Sequence, residues 1–175
     1  FDWQNYLKLG YTPDKVYRDA SGNLKHTQAY TIPYFHYNET APESREFKTL
    51  QYRLFEADNP ADRYRFENGL QSSFYMTVPT DPIGDEVVIC EGAKKALVTR
   101  ITLTGLCVLA VPAKGSWGGI VEGVKQCGRV HVLLDPDATL QAVRMARQIG
   151  KQAHVVRLNH KVDDLARQYG MTDRD

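Results

Sequence analysis

The chain has 175 residues, 42 % of them hydrophobic and 25 % charged, with a formal net charge of +1. That is enough to bury a core in one domain or two small ones, and the near-neutral charge gives no bulk electrostatic case for a nucleic-acid partner. No run is long enough to span a membrane and no signal peptide is present, while Cys90, Cys107 and Cys127 lack disulfide or zinc-ribbon spacing, so a reducing cytoplasm is expected.

Residues 1–84 are rich in Tyr and Phe and are punctuated by Asp19–Asn23, Asn38–Ser44, Asp58–Pro60 and Glu67–Gly69. Between these turn signals lie Tyr30–Tyr37 and Phe47–Phe55. Aromatics and Thr between Gly, Asn and Pro clusters predict antiparallel strands. Thr80–Asp85 reads as a linker. A start at Phe1 rather than Met suggests a piece of a longer protein.

From Glu86 the rhythm changes. Strands are expected at Glu86–Cys90, Cys107–Val111, Arg129–Leu134 and Ala153–Leu158. Helices are expected at Ala93–Leu103, Gly119–Lys125, Thr139–Ile149 and Asp163–Tyr169. Such alternation predicts a parallel sheet covered by helices, an α/β domain over residues 85–175 preceded by a smaller β-rich α+β subdomain over residues 1–84.

Two of these strands end abruptly in carboxylate. Val87-Val88-Ile89-Cys90 runs into Glu91-Gly92, and Val132-Leu133-Leu134 runs into Asp135-Pro136-Asp137. Acids at the carboxyl ends of parallel strands sit in the crevice where open α/β sheets bind ligands. Carboxylates gathered there repel one another unless a divalent cation joins them, and hard oxygen ligands suit Mg²⁺ or Mn²⁺. Glu91 would bind metal or move a proton. The blander reading makes these acids helix caps, which Asp fills well. Asp163 and Asp164, after the last strand, either complete the crevice or cap the last helix. Pro112–Gly119 is a Gly-rich loop whose backbone amides and Lys114 suit phosphate, although it is not a Walker A sequence. Between Ala93 and Leu134 the six basic residues face the single acid Glu122, a local net of +5.

Together these stretches resemble a Toprim domain, the metal-dependent module of bacterial-type primases, topoisomerases and some nucleases. Glu91-Gly92-Ala93-Lys94-Lys95-Ala96-Leu97 resembles its strand–Glu-Gly–helix motif, and Asp135-Pro136-Asp137-Ala138 resembles its Asp-x-Asp motif. The likeness is greatest to Toprim-like domains of phage- and plasmid-borne replication proteins, in which a Gly/Trp loop and a late K-x-V-D-D-L element recur, here Lys114–Gly119 and Lys161–Leu165. The resemblance implies phosphoryl or nucleotidyl transfer on nucleic acid, with primer synthesis on single-stranded DNA from nucleoside triphosphates as the leading reading. A Toprim-type nuclease, or a non-catalytic module that binds nucleic acid or a helicase, is the alternative. It implies Glu91, Asp135 and Asp137 as catalytic and metal-holding groups, with Asp163 or Asp164 as a further acid. Lys94, Lys95 and Lys114 would neutralise phosphates, and Arg53, Arg63 and Arg65 would grip a template backbone. A helicase domain or protein is the implied partner. The cysteine zinc module of bacterial primases is missing, and the late element lacks their Asp-x-Asp form.

Overall fold

The computed structural model describes residues 9–36, 46–60, 63–67, 74–77, 83–103, 105–112, 115 and 117–169. Lys114 lies outside the described residues, as do Ala113 and Ser116 of its loop and part of the expected linker. Contacts divide the chain into two compact units, each with its own sheet.

The first unit is a four-stranded antiparallel sheet in the order β1-β2-β3-β4, with β1 at Gly10–Arg18, β2 at Leu24–His36, β3 at Glu46–Leu54 and β4 at Tyr64–Phe66. The aromatic and Thr-rich runs beginning at Tyr30 and Phe47 fall in β2 and β3, as expected from their fit to a pleated surface, and β1 and β4 extend the sheet beyond them. The turn between β1 and β2 is tied by Asp19, whose carboxylate accepts from the amides of Ser21 and Asn23, both at 2.9 Å. One face of the sheet buries Ala29, Tyr52 and Leu54, with Tyr17, Leu50 and Ala57 packed on them.

The second unit is a five-stranded sheet in the order β5-β7-β6-β8-β9, with β5 at Tyr75–Met76, β6 at Glu86–Glu91, β7 at Cys107–Val111, β8 at Arg129–Leu133 and β9 at Ala153–Val155. β6 to β9 pair in parallel, and only β5 runs antiparallel. β5 precedes residue 84, yet it pairs with β7 in this second sheet. The helices are α1 at Ala93–Thr102, α2 at Gly118–Gly123, α3 at Thr139–Ile149 and α4 at Val162–Gln168.

Val87, Ile89, Leu109, Val111, Val130 and Val132 form the sheet's part of the core, and α3 adds Ala142, Met145 and Ile149 from one face. Each fully buried side chain of this kind contributes roughly 1.5–3 kcal/mol. β6 and β7 are buried along almost their whole length, which is why they read as continuous apolar runs rather than alternating ones. Strand β9 is shorter than the apolar run predicts. Val156 still donates to the Val132 carbonyl at 3.0 Å, after which the chain leaves the ladder. Among the described residues, no helix is long and apolar enough to cross a membrane.

Candidate active site

Glu91 is the last residue of β6, the strand between β7 and β8. Gly92 follows with φ 80° and ψ 142°, a left-handed turn that glycine adopts without the strain a Cβ would bring. Its amide donates to the Val111 carbonyl at 2.8 Å, and its carbonyl accepts from Ala96 at 3.2 Å. The turn that starts α1 is thereby stitched to the end of β7.

β8 lies on the other side of β6, and Cys90 pairs with Leu133 in the parallel ladder. Glu91 and Asp135 therefore end adjacent strands on the same edge of the sheet. Asp135 stands at the N-cap position of a short 3₁₀ turn, Pro136–Ala138, but its side chain makes no capping hydrogen bond. Its carboxylate is 9 % exposed and meets Lys95 instead, with Nζ to Oδ2 at 2.7 Å. A second ammonium, that of Lys161, lies 3.5 Å from the same oxygen. Asp137 sits exposed in the turn itself.

Helix α4 packs against α1 and brings a third acid. Asp163 Oδ2 accepts from Lys94 Nζ at 3.2 Å, while its Oδ1 is buried with no hydrogen-bond partner. Burial pushes the Asp163 carboxyl up, but Lys94 and the charge of Lys95 outweigh it and hold the group below its ordinary value. Asp164, the next residue, is exposed and faces Arg167 at 3.8 Å along the helix. The structure thus separates two acids that the sequence presents as equals.

Lys161, at the N-cap of α4, joins the acids electrostatically. Its ammonium is held above its ordinary range by the charge of Asp135, which outweighs the opposing effect of burial, with Asp137 and Asp163 adding to the raise. Lys161 belongs to the late sequence element, but nothing in its spacing marked it as the partner of an acid far back in the chain. Cys90, directly before Glu91, is a core thiol that burial pushes up to about 11. Its Sγ lies 3.3 Å from Thr99 Oγ1.

Beside Asp135 opens a cavity of about 280 Å³, lined by Asp135, Thr139, Arg157 and Asn159 and by apolar Leu134 and Val155. The departure of the chain from β9 is what carries Arg157 and Asn159 there.

Arg53, Arg63 and Arg65 belong to the other unit. Arg53 is opposite Tyr64, and Arg65 is opposite Tyr52 one rung away. Successive rungs point to opposite faces of a sheet, so Arg53 and Arg65 do not share a surface. Arg65 donates to the Arg18 carbonyl at 3.4 Å, and Arg63 is exposed just before β4.

The oxygen donors on this edge suit Mg²⁺ or Mn²⁺ chemically. As they stand they hold ammonium groups: among the described residues, no three His, Cys, Asp or Glu side chains are gathered to hold a metal ion.

The two sheets, with parallel strands flanked by helices in the second, make the fold of DNA primase catalytic cores. The chain superposes on the DnaG catalytic core with a TM-score of 0.69 and 13 % identity, over 97 % of this chain and 65 % of that one. The DnaG catalytic domain bound to single-stranded DNA gives 0.68 and 12 %, over 97 % and 66 %. A bacteriophage T7 assembly, in which gp4 primase domains bind an RNA/DNA hybrid and dTTP, gives 0.59 and 12 %, over 97 % and 81 %. The chain spans about two thirds of the length of the DnaG structures. No protein-family model and no curated protein matches the sequence.

Proposed function

We propose that this chain is the catalytic part of a Toprim-type DNA primase of a phage or plasmid replication system. It joins ribonucleotides on a single-stranded DNA template, and a helicase domain or protein is its working partner. The observation that carries this reading is the acid–lysine cluster at the carboxyl edge of the sheet, Asp135 with Lys95 and Lys161 and Asp163 with Lys94, on a primase-core fold. The likeness to structures that hold single-stranded DNA, or an RNA/DNA hybrid with dTTP, supports those partners.

Glu91, Asp135 and Asp137, with Asp163 as a further acid, would hold Mg²⁺ or Mn²⁺. When bound, the ion lowers the pKa of an attacking 3′ hydroxyl and neutralises charge on the phosphate. Lys94, Lys95 and Lys161 would offer their ammonium groups to incoming phosphate oxygens, for which an ammonium is a point-charge partner. Glu91, at the end of β6, would hold the ion or take a proton. A second reading has its own support: acids already paired with lysines are also what a non-catalytic binding module would keep.

Incubation with Mg²⁺ or Mn²⁺, labelled nucleoside triphosphates and single-stranded DNA tests the choice. Short oligonucleotides made by the wild type and lost in Asp135→Ala are the expected result. Shortened DNA would mean a nuclease, and binding without either product would mean the module. Full activity in Asp135→Ala would overturn the metal assignment.

A further inference from the structure

The four-stranded sheet carries a row of exposed rings that the acidic edge does not use. Register places Tyr11 on β1 opposite Tyr30 on β2, Tyr30 opposite Arg53 on β3, and Arg53 opposite Tyr64 on β4. Residues paired across strands project from the same face. One rung therefore reads Tyr–Tyr–Arg–Tyr across the whole sheet. The three tyrosines are 52 %, 51 % and 40 % exposed, and Phe55, just past β3, is 43 % exposed. The Phe55 ring centroid lies 4.8 Å from that of Tyr30 and 6.0 Å from that of Tyr11, tilted by 59° and 52°. Tilted contacts of this kind fix ring orientation. The next rung on the same face, Ile32 opposite Gln51, is buried, so the exposed patch ends there.

Exposing four large rings beside an arginine costs solubility and gives no core. We propose that this rung is a stacking platform for the bases of a single-stranded nucleic acid, with Arg53 supplying a phosphate contact or a cation over a base. Every base has a π-face, so such a platform is sequence-tolerant. Four strands put the rung at about 14 Å from end to end. Four-stranded sheets that bind single-stranded RNA stack two or three bases on exposed aromatics. A stable protein interface buries about 800 Å² per partner, far more than one rung offers. The inference rests on the reading that the chain works on a single strand, and it gives that strand a place on the β-rich unit.

The test uses the whole chain and a short labelled oligothymidylate. Tyr30→Thr, which keeps a strand-forming residue, is expected to weaken binding roughly 5- to 100-fold, as loss of one stacked base does, without changing its salt dependence. Arg53→Gln is expected to lower the salt slope by about one phosphate contact. Irradiation of a bromodeoxyuridine oligonucleotide should cross-link peptides containing Tyr11, Tyr30, Phe55 or Tyr64, a readout that needs no variant to fold. Unchanged affinity in folded Tyr11→Thr/Tyr30→Thr, or cross-links confined to other peptides, would overturn the platform. So would a wild-type dimer dissolved by the same double variant, since the face would then serve self-association. If primers are made while cross-links avoid the rung, the platform falls and primer synthesis stands. If cross-links fall on the rung but no primer forms, the reverse holds.

Discussion

Lys95 Nζ and Asp135 Oδ2 lie 2.7 Å apart, the Lys95 side chain 18 % exposed and that of Asp135 9 %. One residue comes from the first turns of α1 and the other from the end of β8, so the pair pins a helix to the strand beside the one that precedes it. Removing one partner of a buried pair costs about 3–5 kcal/mol, because the other charge is left without compensation. Here Lys161 remains at 3.5 Å from Asp135 and offsets part of the loss. Lys95→Met is therefore expected to cost about 2–3 kcal/mol in urea unfolding. Lys95→Met/Asp135→Asn should cost less than the sum of its parts, as residues in contact do. Strict additivity would mean that the pair is not formed in solution.

Lys161 makes the weaker and more exposed contact to Asp135. Losing it should cost little stability, because exposed pairs contribute about 0–1 kcal/mol. Its effect should appear in cation binding, since an ammonium on Oδ2 competes with a divalent ion for the same oxygen. Lys161→Met is expected to bind Mn²⁺ roughly two- to fivefold more tightly by titration calorimetry, the equivalent of up to about 1 kcal/mol. Weaker Mn²⁺ binding in this variant would mean that Lys161 supports the ion site instead of occupying it.

How much of this was legible beforehand depends on the range of the interaction. The strands Val87–Cys90 and Val132–Leu133 were readable because a strand buried on both faces must be apolar throughout, and the acids that end them stand out by contrast. The adjacency of Glu91 and Asp135 follows from parallel pairing of β6 with β8. What occupies the acids was not readable. Lys95 on α1 and Lys161 at the start of α4 reach Asp135 through tertiary packing that no local spacing encodes. Asp163 and Asp164 differ by one step of about 100° around a helix, enough to turn one toward Lys94 and the other toward Arg167. Arg53 and Arg65 look like one basic group in sequence, yet the β3–β4 register sends them to opposite faces.

Gly92 sets where Glu91 ends. Its φ of 80° disfavours any side chain, although a Cβ there would meet nothing within 4 Å. The constraint is thus conformational and not steric. Gly92→Ala is expected to cost about 1–3 kcal/mol and to lower synthesis further than that loss explains, by moving Glu91 and the start of α1. A variant with wild-type unfolding and wild-type activity would show that the turn relaxes without consequence.

Cys90 gives a pH dependence whose sign can be worked out. Burial raises its thiol from an ordinary value of 9.0 to about 11, opposed in smaller part by Thr99 and Lys95. Below pH 9 the thiol is protonated in both folded and unfolded chains, and its favourable burial is fully present. Between pH 9 and 11 the unfolded chain ionises first and binds fewer protons, so stability falls as pH rises and the loss is complete once the folded thiol ionises. A shift of this size corresponds to about 3 kcal/mol. Tyr75, raised by burial in the same way, adds its own loss only above its ordinary value of 10.0 and is common to both proteins compared. Urea unfolding from pH 8 to 11 should therefore show wild type losing more stability than Cys90→Ala, with iodoacetamide labelling of Cys90 at pH 8 slow in the folded wild type. Parallel pH profiles for the two proteins would mean that the thiol is not buried as described.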